Sequence, residues 1–124
     1  MQFNNHQSIY VQIAALMEEE IASGRWMEEA RIPSVRELGM QLEVNPNTVM
    51  RSYEMVQEDQ LIYNKRGLGY FVQAGARNII LEKRKKIFNE TEIPAFANKI
   101  QQLGLDATTV FSIIQQMIEK NEKK

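Results

Sequence analysis

Residues 32–49 read Ile32-Pro33-Ser34-Val35-Arg36-Glu37-Leu38-Gly39-Met40-Gln41-Leu42-Glu43-Val44-Asn45-Pro46-Asn47-Thr48-Val49. Pro33 disfavours helix in the residue before it. Ser34 with Glu37 three residues on has the form of a capping box, and Val35, Leu38 and Leu42 supply the buried face of a short helix. Asn45-Pro46 signals a second start, an N-cap followed by proline at the first helical position, where its missing N–H costs nothing. Beyond it Val49, Ser52, Tyr53 and Val56 fall at i, i+3, i+4 and i+7. One face of this helix is therefore buried, leaving Asn47, Thr48, Met50, Arg51 and Glu54 on the others. Two helices separated by only a few residues make a helix-turn-helix.

Working outward, Ile9, Ile13, Leu16, Met17 and Ile21 recur at helical spacing, with Gly24 placed to end a first helix. The stretch from Gly24 to Pro33 has no clear period and reads as a connector. Downstream, Leu61-Ile62-Tyr63 and Tyr70-Phe71-Val72 are β-branched or aromatic runs around Asn64-Lys65-Arg66-Gly67-Leu68-Gly69, a hairpin with a basic, glycine-containing tip. Three helices followed by a hairpin is the winged-helix order. After Gly75 the pattern turns helical again: Ile79, Ile80, Ile87 and Phe88, then Thr91 as a cap, then Phe96, Ile100 and Leu103 before Gly104, and finally Val110, Ile113, Ile114, Met117 and Ile118. The predicted fold is mostly α with a small β-hairpin: a winged helix-turn-helix domain over residues 1–74 and a C-terminal helical dimerisation tail over residues 75–124. Phe96, Ile100 and Leu103 with Val110, Ile113, Ile114 and Met117 are more apolar surface than two short helices can hide on each other. They are expected to pack against a second chain, or else to fold back on their own winged helix.

An apolar fraction of 44% with 25% charged residues is that of a chain able to bury a core. No apolar run is long enough to span a bilayer, and the N-terminus has neither the basic start nor the apolar core of a signal peptide, so a cytoplasmic protein with no membrane partner is expected. The net charge of −1 does not advertise a nucleic-acid binder. Residues 1–74 hold six bases against ten acids, and the remainder nine bases against six acids. Binding to DNA must then rest on where charges sit, because affinity comes from local phosphate neutralisation. An enzyme is not expected: there is no cysteine, no phosphate-cradling glycine loop and no metal-ligand cluster, and the single histidine, His6, lies in a terminus expected to be mobile. No cofactor is expected either.

Ile32 to Leu38, Val44-Asn45-Pro46-Asn47-Thr48-Val49 and Arg66-Gly67-Leu68-Gly69-Tyr70-Phe71-Val72, with Ile9-Tyr10-Val11-Gln12-Ile13 upstream, resemble the GntR family of bacterial regulators. The short helical tail with Leu103-Gly104-Leu105 looks like that of its YtrA subfamily. The resemblance implies double-stranded DNA as partner and a homodimer on a short inverted-repeat operator, acting as a repressor; the tail is too short for the effector domains of the larger subfamilies, and a small-molecule effector is left open. It implies a DNA contact at Arg36, either to a guanine edge or to a phosphate. The alternative there is a merely solvated arginine, or a salt bridge to Glu37 or Glu43. Ser34 caps its helix and could also meet a phosphate. Asn45, Asn47 and Thr48 open the recognition helix, whose first residues reach base edges or backbone in the major groove, although local capping would account for Asn45. Arg51 is the next base along. Lys65, Arg66 and Gly67 form a wing tip suited to a narrow minor groove, against the plainer reading of a solvated turn. Tyr53 belongs to the core.

Three positions depart from the family pattern. Glu28-Glu29 stands where the connector usually has Pro-Gly, Gln60 where the recognition helix usually ends in glycine, and Met50 where many relatives have a base. The acidic balance of residues 1–74 and Met50 would also suit a winged-helix protein-interaction module without DNA binding.

Overall fold

The computed structural model describes residues 3–123, and the chain divides into two compact units between Lys83 and Arg84. The first contains α1 (Ile9–Ala22), α2 (Val35–Leu42), α3 (Pro46–Glu58), β1 (Ile62–Lys65), β2 (Gly69–Val72) and most of α4 (Ala76–Ile87). α3 packs on both α1 and α2. The face of α3 is the one the spacing predicts, with Val49, Ser52, Tyr53 and Val56 buried; α1 buries Ile13, Met17 and Ile21 but leaves Ile9 exposed and Leu16 half-buried, and α2 buries Leu38 with Val35 and Leu42 half-buried against the core. Leu61, Ile62 and Val72 close the core from the hairpin, and Ala76 and Ile80 from α4. Among the described residues the one buried polar side chain, Ser52, is satisfied by donating to the Tyr10 carbonyl at 2.7 Å, so its burial leaves no orphan group.

The turn between α2 and α3 is Glu43-Val44-Asn45. Glu43 takes a left-handed conformation (φ 56°) to end α2, and the Val44 N–H donates to the Gly39 carbonyl at 2.9 Å. A Cβ on Gly39 would lie 2.9 Å from the Val44 carbonyl oxygen, a backbone atom with nowhere to go. Glycine is therefore required inside α2 by the closeness of the turn rather than by its own conformation. Gly39→Ala should destabilise the domain by about 1–2 kcal/mol, because overpacking outweighs the better helix propensity of alanine. Urea denaturation checks this, and a gain in stability would show that the turn is looser than described.

β1 and β2 pair antiparallel in the register Ile62 to Val72 through Lys65 to Gly69. The connector is not merely a loop. Val72 N–H donates to the Ala30 carbonyl and Ile32 N–H to that of Tyr70, both at 3.0 Å, and Arg31 forms a bridge with Phe71, so residues 30–32 run beside β2 as a third edge. Glu29, where a glycine was expected, and Gln60, at the end of α3, both hold positive φ (64° and 62°). The fold imposes at both places a left-handed backbone that glycine would adopt without penalty, at a strain of roughly 1–2 kcal/mol each. The N-terminal segment, expected to be mobile, is tied down. Gln12 accepts from the Asn4 N–H and donates to the carbonyls of Asn4 and Gln7, each at 2.9 Å, while Asn4 Oδ1 takes the His6 N–H.

The second unit holds the end of α4, α5 (Ile93–Gln102) and α6 (Ala107–Glu122). Thr91 does not cap a helix, contrary to expectation. Phe88–Glu92 is a π-helical turn that carries α4 into α5. Pro94 follows directly, and its absent N–H and bulky ring conflict with a regular helix. A widened turn absorbs that conflict without breaking the helix. Gly104 (φ 66°) ends α5 with the Leu105 N–H reaching back to the Ile100 carbonyl, and Asp106 caps α6 by accepting from the N–H and hydroxyl of Thr109. α6 runs to Glu122, and Lys124 lies outside the described residues.

Candidate nucleic-acid interface

Both helix starts of the helix-turn-helix are capped from within. Ser34 Oγ accepts from the Glu37 N–H at 3.0 Å, and Glu37 Oε1 accepts from the Ser34 N–H at 3.1 Å. The hydrogen bond from the Ser34 backbone, then that from its side chain, hold the Glu37 carboxyl below its ordinary range, with a smaller contribution from Arg31. Glu37 is therefore an anion at neutral pH, and the Ser34 N–H is occupied. At α3, Asn45 Oδ1 accepts from the Asn47 N–H at 2.8 Å, so capping accounts for that oxygen and leaves the amide N–H groups free.

Arg36 is exposed and, among the described residues, makes neither a hydrogen bond nor an ion pair. Neither Glu37 nor Glu43 takes it up. The Asn47 side chain is likewise exposed and unpartnered, and Thr48 is half-buried beside it. Arg51, one turn further on the same face, lays its guanidinium over the Tyr10 ring, 4.0 Å from the centroid. This cation–π contact restrains the side chain while leaving its N–H edge open. The three acids of α1 are engaged with other groups: Glu20 with Arg25 at 2.9 Å, Glu18 with Lys83 at 3.9 Å, and Glu19 with a partner of its own.

At the wing, the Leu68 N–H donates to the Lys65 carbonyl at 2.8 Å and closes the turn. Gly67 sits at φ 79° with open space where a Cβ would go, a geometry that lets another backbone come close. Lys65 Nζ lies 5.7 Å from the centre of the Phe71 ring, and Arg66 is exposed. Wing and helix-turn-helix are joined by Arg31, whose Nε donates to the Leu68 carbonyl at 3.1 Å and whose terminal nitrogen lies 3.8 Å from Glu37. The first turn of α2 and the wing tip are thus one arginine apart. Sequence reasoning had no role for Arg31, nor for Tyr10 beneath Arg51. The available signal was a cation directly before Ile32-Pro33-Ser34.

Among the described residues of the second unit only Ile100 is buried, and none of α6 is. Val110 and Ile114 are half-buried, whereas Phe96, Leu103, Ile113 and Met117 are exposed, as are Phe88 and also Ile93 and Phe111, the last two not singled out from the sequence. Among the described residues no group of acids and histidine is placed to hold a metal ion, and no helix is long and apolar enough to cross a membrane.

The sequence pattern of the bacterial regulatory proteins of the gntR family matches residues 9–72. The HTH-type transcriptional repressor YtrA of Bacillus subtilis is 30% identical over 99 residues, which cover 80% of this chain and 70% of that protein. A transcriptional regulator of the GntR family from Bacteroides thetaiotaomicron, known from its crystal structure, is 40% identical with a TM-score of 0.76, covering 92% of this chain and 99% of that one. The DNA-binding domain of AraR, solved in complex with operator ORX1, is 25% identical with a TM-score of 0.52, over 57% of this chain and 92% of that one.

Proposed function

The chain belongs to the GntR family of bacterial regulatory proteins, and from that premise we propose that it is a homodimeric repressor that reads a short inverted-repeat operator. Residues 1–74 bind DNA and residues 75–124 join two chains, in the cytoplasm. α3 is the recognition helix: Asn47 and Thr48 meet the major groove, Arg51 a phosphate, and Arg36 a guanine edge or a phosphate from the first turn of α2. Lys65, Arg66 and the open backbone at Gly67 follow the adjacent groove. The repressor activity of YtrA and the operator-bound form of AraR support this reading.

One observation carries it. The N-termini of α2 and α3 are capped by Ser34, Glu37 and Asn45, so the Arg36 and Asn47 side chains, unpartnered among the described residues, have no capping task at the very surface that carries them. Arg36→Ala should weaken operator binding by about 1–3 kcal/mol with no change in unfolding midpoint. Fluorescence anisotropy on the operator measures it. Unaltered affinity would remove Arg36 from the interface.

Neutralising Lys65 and Arg66 together should weaken binding to most sequences alike and flatten the log-log salt dependence by up to about two units. A loss confined to one sequence would make the wing a reader of bases.

A further inference from the structure

The wing tip is held by a single side chain that belongs to neither strand of the hairpin. Arg31 comes from the connector, where its backbone is bridged to Phe71, and its guanidinium lies across the start of β2. Nε donates to the Leu68 carbonyl at 3.1 Å, and the other end of the fork is directed to Glu37 at 3.8 Å. Gly69 makes room for this. A Cβ there would stand 3.1 Å from Arg31 Nε, and the residue also holds φ 114°. Glu37 is in turn fixed by both hydrogen bonds of the capping box. The wing tip is thereby tied through Arg31 to the helix start that presents Arg36.

We infer that Arg31 is a positioning residue for DNA binding, one that orders the wing tip against the first turn of α2 before DNA arrives. The inference rests on the reading of the wing as a DNA contact. The ion pair to Glu37 is long and exposed, and such pairs contribute little by themselves. What matters is the planar fork, which can address a carbonyl and a carboxylate at once. Lysine would keep the charge but could not serve both acceptors in that geometry. A tip already ordered has less conformational freedom to lose on binding.

The test measures amide hydrogen exchange at the wing in the free full-length protein, together with operator affinity, for Arg31→Ala and Arg31→Lys. Exchange of the Leu68 amide should quicken about 3- to 10-fold in both variants, the range expected for losing one hydrogen bond, while core amides such as that of Val56 stay unchanged. Operator affinity should fall by a similar factor in both. That loss should vanish when Arg31→Ala is made in a protein already carrying Lys65→Ala and Arg66→Ala, because the ordered wing then has little left to contribute. Unchanged wing exchange, or full restoration of exchange and affinity by Arg31→Lys, overturns the inference. So does an affinity loss that simply adds to that of the wing variant and lowers the salt slope by about one, which would make Arg31 a phosphate contact. If the Lys65 and Arg66 variant binds DNA as well as the native protein, it is the wing's role as a DNA contact that fails, while the exchange measurement still decides whether Arg31 orders it.

Discussion

Ile114→Glu is expected to turn a dimer into a monomer at micromolar concentration and to lower affinity for a full operator by about 10²- to 10⁴-fold, the range over which linking two binding modules raises avidity. Ile114 lies on the stripe with Val110, Ile113 and Met117, on a helix with no buried residue. Phe96, Leu103, Phe111 and Met117 are all more than two-fifths exposed in the single chain. An isolated soluble protein rarely leaves so much contiguous apolar surface in water, because burying each such side chain is worth about 1.5–3 kcal/mol. In the proposed homodimer a second copy supplies the missing cover. A carboxylate in that seam would have to be desolvated without a partner, which is strongly unfavourable. The core around Tyr53 includes no residue of α6, so the winged helix should stay folded. Sedimentation velocity with anisotropy on the same samples checks both halves of the expectation. A variant that is still dimeric would place the seam on another face.

Tyr53→Ala should cost about 3–5 kcal/mol, much of the roughly 5–15 kcal/mol available to a domain of this size. Tyr53 is wholly buried, its hydroxyl donates to the Pro33 carbonyl just before α2, and its ring meets Tyr70 of β2 edge-on at 4.9 Å. One side chain of α3 therefore fastens the start of α2 and the wing. Burial pushes its phenol well above the ordinary range, so the hydroxyl remains a neutral donor at every pH at which the protein is used. Tyr53→Phe keeps the ring and orphans the Pro33 carbonyl, for which about 1–2 kcal/mol is expected. Urea denaturation of both variants separates packing from hydrogen bonding. A Tyr53→Phe protein as stable as the native one would mean that water replaces the hydroxyl.

The elements that sequence reasoning places well are those whose signals are local. Ser34 with Glu37, Asn45 with Pro46, and the spacing from Val49 to Val56 each specify a helix start or a buried face within one or two turns. The connector was misread for the opposite reason. Residues 30–32 form an edge through hydrogen bonds to residues 70 and 72, and no alternation in the connector reveals partners so distant in sequence. Arg31 was missed with it, since its task exists only once the wing is folded beside it. Glu29, Glu43 and Gln60 adopt left-handed backbone because tertiary packing compels it, against their own preference. In the tail, a continuous apolar pattern was divided at Thr91, whereas Pro94 widens the turn without ending the helix.

The Arg36, Asn47 and wing assignments share one consequence with the tail: two heads, each reading a few base pairs, on one twofold-symmetric site. Selection from random double-stranded DNA by the full-length protein tests this most directly. The expected result is an enriched inverted repeat whose half-site centres lie about one helical turn, or a multiple of it, apart. Enrichment of no sequence, or of a single unrepeated half-site, would contradict the account.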